Sequence, residues 1–287
     1  MVSKKHSKEK PSLRDHNRFQ SPELTGGSGF SYEDGVVAIY LGALLGEESA
    51  PGLTDRIVVR VAVQQAAFSE PLDDLIVDGK AADGTDARLS LQIKREITIS
   101  SSRTNTDFRE IVTRSWKTFG KIGFREGIDR VGAATGTIAD AKRRACTEVC
   151  EWARESQSAE TFFQRFQTPG FAGESRQAIL QTFQTILATY LDRTEVNSDV
   201  YRLLRHFVMI KLDILHEGAT DEASAVERLR SHLHSSESHR ATGLWNRLRV
   251  VAREAAGRSG EFDRKSLVQE FHGTFRLAGC GNDFPIT

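Results

Sequence analysis

The chain has 287 residues, 39 basic and 39 acidic, so its formal charge is zero; 39% of its residues are hydrophobic and 27% charged. That length suits one large domain or two medium ones, and that composition a soluble globular protein. No apolar run reaches the roughly 18 residues of a membrane span, no signal-peptide core follows the N-terminal charges, and three cysteines are too few for a disulfide framework, which predicts a reduced, cytoplasmic protein.

Residues 1–29 are polar and aperiodic and end in Gly-Gly-Ser-Gly. They read as a disordered arm, basic by six Lys/Arg to three acids. From Phe30 to Leu45, apolar residues recur at helical spacing. Ser31 is the expected N-cap, with Asp34 in the reciprocal position of a capping box. Glu33 falls in the first turn. Ile57–Gln65 is rich in β-branched residues and predicts a strand. Pro71–Lys94 predicts two strands joined by a polar, Gly-containing turn. Asp107–Lys121 predicts an amphipathic helix whose apolar stripe is Phe108, Ile111, Val112, Trp116 and Phe119. Arg114, Lys117 and Lys121 share a different face of it. Residues 128–135 predict a strand of small residues.

From Ile138 the pattern becomes helical, with candidate helices at 138–156, 158–167, 174–192, 198–216, 221–236, 239–257 and 263–272. HFVMIKLDIL (206–215) alternates β-branched residues and is readable as a strand. The expected architecture is α/β (α+β): a mixed sheet flanked by helices over 30–136, followed by an all-helical connector or oligomerisation domain over 137–287. The absence of a terminal helix or polar tail after FRLAG predicts a fragment of a longer protein. Cys146 and Cys150 lack the partners of a zinc site and read as core. The same bland reading applies to His232, His234 and His239 as a solvated helix end, and to Trp116, Trp152 and Trp245 as packing residues.

The stretch that carries chemistry is PLDDLIVDGKAADGTDARLSLQIK, residues 71–94. Strand alternation puts Ser90, Gln92 and Lys94 on one face and Leu89, Leu91 and Ile93 on the other. A hard cation such as Mg²⁺ or Mn²⁺ takes oxygen ligands and lowers the pKa of an attacking water. Asp74, the Gln92 side-chain oxygen and the Ile93 backbone carbonyl are candidate ligands. Lys94 is placed to orient the water or to stabilise developing charge, and Glu33 to act from the first helix. Asp73, Asp74 and Asp78 compete for the principal carboxylate position. Residues 65–86 hold six acids against one lysine, and residues 94–126 eight Lys/Arg against four acids. An acidic pocket beside a basic surface suits a nuclease.

The spacing of first helix, strand, Asp-Asp, strand and Gln-x-Lys resembles the PD-(D/E)xK nucleases, and its glutamine resembles their Mrr branch. GFSYEDGVVAIYLGALL and LDDLIV…LSLQIKRE look like the double-stranded DNA endonuclease domain of bacterial anti-phage proteins, including cyclic-oligonucleotide-activated effectors. The helical half is similar to the connector ahead of a STAND NTPase module. The resemblance implies a restriction-endonuclease-like fold and Mg²⁺-dependent cleavage of double-stranded DNA, switched on by oligomerisation. Asp74, Gln92, Lys94 and Glu33 would be catalytic, and Arg95, Arg114, Lys117 and Lys121 would contact DNA. Two other readings are a catalytically silent DNA-binding or oligomerisation scaffold and a stand-alone Mrr-like modification-dependent restriction enzyme.

Overall fold

The computed structural model describes residues 31–278. The arm expected over 1–29, Cys280 and the last residues of the chain lie outside them. Six strands form one sheet in the order β5-β4-β3-β2-β1-β6. They are β1 (Ile57–Val63), β2 (Leu75–Lys80), β3 (Asp86–Glu96), β4 (Arg130–Thr137), β5 (Phe207–Lys211) and β6 (Glu261–Phe262). β1 pairs antiparallel with β2 and β6, and β2 with β3. β3, β4 and β5 run parallel. The sheet is therefore mixed, as expected.

Parallel neighbours require crossover connections, and here these are helical. α2 (Thr106–Thr118) joins β3 to β4. α3 (Asp140–Glu155), α4 (Ala159–Gln167), α5 (Glu174–Leu191) and α6 (Asn197–His206) join β4 to β5. Both connections lie on one face, where Phe108, Val149, Phe183 and Leu204 pack against Val131, Ala133 and Phe207. The other face is covered by α1 (Tyr32–Gly46), α7 (Thr220–His232), α8 (Ala241–Ala256) and α9 (Arg264–Gln269). Leu75, Val77, Leu89, Leu91 and Ile93 point into that second core.

α1 starts where Ser31 and Asp34 complete the expected capping box. It runs through the second core with Val36, Tyr40, Leu41 and Leu44 fully buried. Each such side chain contributes roughly 1.5–3 kcal/mol of transfer free energy. The Asp34 carboxylate accepts from the Arg253 guanidinium of α8 at 2.8 and 3.0 Å, which fixes the helix start to the second half of the chain. β4 is made of small residues for a steric reason: a Cβ on Gly132 would lie 1.9 Å from the Val208 carbonyl oxygen of β5.

The second half is not all-helical, which corrects that expectation. Residues 207–211 and 261–262 are strands and extend the sheet at opposite edges. Both cores draw on residues from either side of position 137. Cys146 and Cys150 are buried and free, and Trp245 is buried with its indole N–H donated to Glu222. Among the described residues no helix is long and apolar enough to cross a membrane.

Candidate functional site

Glu33, Asp74 and Gln92 are joined by hydrogen bonds at the end of β1, β2 and β3, where the antiparallel ladder stops. The last ladder pair of β2 and β3 is Leu75 with Leu91. Beyond it the Ile93 N–H turns to the Asp74 side chain and donates to Oδ2 at 2.7 Å. The N–H and C=O of one strand residue face the same neighbour, so the Ile93 carbonyl faces the side of Asp74 as well. Gln92 Nε2 also donates to Asp74 Oδ2. Asp73, Asp74 and Gln92 are each less than one-tenth exposed.

A residue that the sequence reading passed over completes the cluster. Gln64 follows β1 in a left-handed conformation, φ 52°. Its Nε2 donates to Glu33 Oε1 and, at 3.4 Å, to Asp74 Oδ1. Backbone bonds from Gln64 N to Asp74 O (3.2 Å) and from Gln65 N to Asp73 O (2.8 Å) pin the aspartate pair to this turn. Ser259 Oγ donates to the Gln64 carbonyl at 2.7 Å from the segment leading into β6. The signal available in the sequence was a Gln-Gln pair ending a β-branched run.

The three competing aspartates occupy different settings. Asp74 faces Glu33 and the two glutamines. Asp73 turns to α2 and accepts from Arg114 at 2.6 Å. Asp78 lies one turn of the strand pattern away, held by Arg60 and Arg88 at 2.8 Å each. Lys94 pairs with exposed Asp107 at 3.5 Å and its charge acts on Asp74 from nearby.

Burial raises the Asp74 carboxyl to about 7, and the Glu33 carboxylate adds to the rise. The Ile93 N–H and the Lys94 ammonium oppose it. A buried acid and a partly buried one thus stand together with amide donors between them. Carboxylate and amide oxygens are what a hard divalent cation takes, and a crowded anion pair gains from one. The donor chemistry fits Mg²⁺ or Mn²⁺. Among the described residues, however, no three Asp, Glu, His or Cys side chains stand together as a ready cage.

The basic residues of α2 and of the turn after it are engaged within the fold to different degrees. Arg114 folds inward onto Asp73, Gln92 and the Pro71 carbonyl and also pairs with Glu110. Lys121 binds the Ser69 carbonyl at 3.0 Å and Glu70 at 3.7 Å. The Lys117 ammonium sits 5.7 Å from the Tyr190 ring centroid. Arg95 is exposed.

Fold and site together define a mixed α/β protein with a buried carboxylate–carboxamide cluster at one end of its sheet. No protein-family model matches the chain, and no curated protein does. Solved structures similar to it are Cap4 SAVED/CARF-domain containing receptors. The one from Moraxella osloensis is 14% identical, with a TM-score of 0.43, over 85% of this chain and 47% of its own. One from Acinetobacter baumannii, with the cyclic trinucleotide 3'3'3'-cAAA, is 12% identical, with a TM-score of 0.45, over 86% and 46%. Another from that organism is 12% identical, with a TM-score of 0.46, over 86% and 48%. The chain spans about half the length of the structures it matches. Against the expected PD-(D/E)xK assignment, DNA endonuclease function and double-stranded DNA partner, these neighbours are described as receptors, one of them with a cyclic trinucleotide. Arg114 and Lys121 already pair with acids of the fold, and a charge so paired releases fewer counterions from a duplex.

Proposed function

We propose that the Glu33–Gln64–Asp74–Gln92 cluster is a divalent-cation-dependent hydrolytic centre for a small phosphoric ester. The observation that carries this reading is the Asp74 carboxyl, buried beside Glu33 and raised to about 7. Strong perturbation by burial and a like charge marks a site built for something other than stability. Glu33 and Asp74 would hold the cation, with the Ile93 carbonyl and a glutamine oxygen completing the protein's share. When bound, the cation would polarise the phosphate and acidify a water. Lys94 supplies the anion contact: its side chain is one-third exposed, and that of its partner Asp107 is more exposed still. A phosphate oxygen can therefore take the place of that carboxylate at little desolvation cost.

The test is hydrolysis of bis(p-nitrophenyl) phosphate, a small diester with no base or groove to recognise, with Mn²⁺ or Mg²⁺ against a chelator. Cation-dependent release of nitrophenolate that is lost in Lys94→Ala supports the reading. No release with any divalent cation overturns it. 3'3'3'-cAAA, the ligand of one A. baumannii neighbour, serves as a second probe. Saturable binding without turnover would replace hydrolysis by ligand binding as the role of this site.

A further inference from the structure

Gln92 lies between groups of opposite hydrogen-bonding character. On one side Arg114 Nη1 donates to its Oε1 at 3.3 Å. On the other its Nε2 donates to the Asp74 carboxylate. A guanidinium offers donors alone and a carboxylate acceptors alone, so this orientation of the amide satisfies both neighbours and the reverse satisfies neither. Gln64 is turned the same way, nitrogen toward Glu33 and Asp74. Carboxamide N–H groups thus stand where a cation would bind between the acids.

We infer that Arg114 holds Gln92 in a cation-excluding orientation, and that loading of the site requires a half-turn of the Gln92 amide that breaks the Arg114 bond. The inference rests on the hydrolytic reading of the site and adds a positioning residue to it. After the half-turn, Oε1 faces the Asp74 carboxylate, an arrangement that a cation between the two oxygens stabilises. The Nε2 group then faces Arg114 donor to donor, and nothing in the exchange relieves that contact. Arg114 is kept in place by Asp73 at 2.6 Å, by the Pro71 carbonyl at 3.4 Å and by Glu110. It therefore resists following the amide. Cation affinity is set by α2, through a residue that among the proposed ligands bonds only Gln92.

The experiment begins with the wild-type chain. With ¹⁵N-glutamine labelling, and Gln92→Glu to assign the signal, Mg²⁺ is titrated while the Gln92 side-chain NH₂ resonances are followed and binding is measured by calorimetry. A shift of the Gln92 pair that saturates with binding supports the inference. Binding that leaves the pair unmoved overturns it while sparing the cation site. Absence of binding overturns both. A double-mutant cycle removes the simpler electrostatic account. Arg114→Met should raise Mn²⁺ affinity about tenfold, the worth of one hydrogen bond to a charged group. In Gln92→Leu, which has no amide to orient, the same change should raise it less than about twofold. Equal gains in the two backgrounds would show that Arg114 acts by its charge alone, and would sink the inference.

Discussion

Asp74 stands just before β2 and Asp78 within it, four residues apart, yet their surroundings are opposite. Asp78 sits between two guanidiniums. Arg60 also grips Glu261 with two bonds of 2.6 and 2.7 Å, and Arg88 reaches Glu70 at 3.9 Å. Ion pairing raises the pKa of both arginines further, as expected where each charge has its complement. At Asp74 the nearest groups are a second acid and two neutral amides, and the carboxyl is pushed up instead. Around Asp78 is a balanced network that fastens β1, β2, β3 and β6. The surroundings of Asp74 hold surplus negative charge at a cost to the fold. Binding sites are where such imbalance persists.

The largest effect should come from exchanging the two acids in an activity assay. Asp74→Asn is expected to lower cation-dependent hydrolysis by about 10³-fold, whereas Asp78→Asn should leave it within a few-fold. Initial rates on bis(p-nitrophenyl) phosphate decide this. If both variants fall equally, the contrast between the two acids has no functional meaning. Urea unfolding at pH 8 should reverse the order. Asp78→Asn leaves two half-buried guanidiniums short of a partner and should cost about 2 kcal/mol, less than a fully buried pair because these side chains are 20–39% exposed. Asp74→Asn removes a charge that burial penalises at this pH and should stabilise the fold.

A pH series sharpens the same point. The folded pKa of Asp74, about 7, lies above its ordinary 3.8. Between those values the folded chain binds more protons than the unfolded one, so this group makes stability fall as pH rises from about 4 to about 7. The penalty is complete above pH 7 and absent below pH 4. At about 1.4 kcal/mol per unit it comes to roughly 4 kcal/mol. The slope should vanish in Asp74→Asn, and saturating Mg²⁺ should flatten it. A stability curve that rises across this window and is unchanged in the variant would refute the assignment. The smallest effect belongs to Lys121→Ala, whose exposed bonds to Ser69 and Glu70 are worth under about 1 kcal/mol by thermal unfolding.

Much of this layout was legible in the chain. Ser31 and Asp34 announced the start of α1 because a capping box is purely local. The β-branched run at 57–63 and the alternation at 89–93 fixed two central strands and the faces of Gln92 and Lys94. What stayed hidden depends on distant partners. β6 is two residues behind Gly-Arg-Ser-Gly and becomes a strand only by pairing with β1. The helix expected over 198–216 stops at His206, and Phe207–Lys211 joins β4 instead. Helical spacing separated the basic face of α2 from its apolar stripe, but could not show that Asp73 and Glu70 lie beneath it. Gln64 offered no periodic or charge signal, since its role comes from a left-handed turn beside a helix start thirty-one residues away.

Gly260 and Ser259 give the site a consequence in time. Val63 N donates to the Gly260 carbonyl at 2.9 Å and the Gln64 carbonyl accepts from Ser259 at 2.7 Å, contacts that span about 195 residues of chain. While a ribosome is still making residues 140–250, every member of the acidic cluster has already emerged, yet the outer edge of β1 has no neighbour. Such an edge recruits other strands, and closing so long a loop is slow. A nascent or truncated chain carrying residues 31–137 therefore holds all the proposed ligands without the brace that shapes them, and it should aggregate before it can bind.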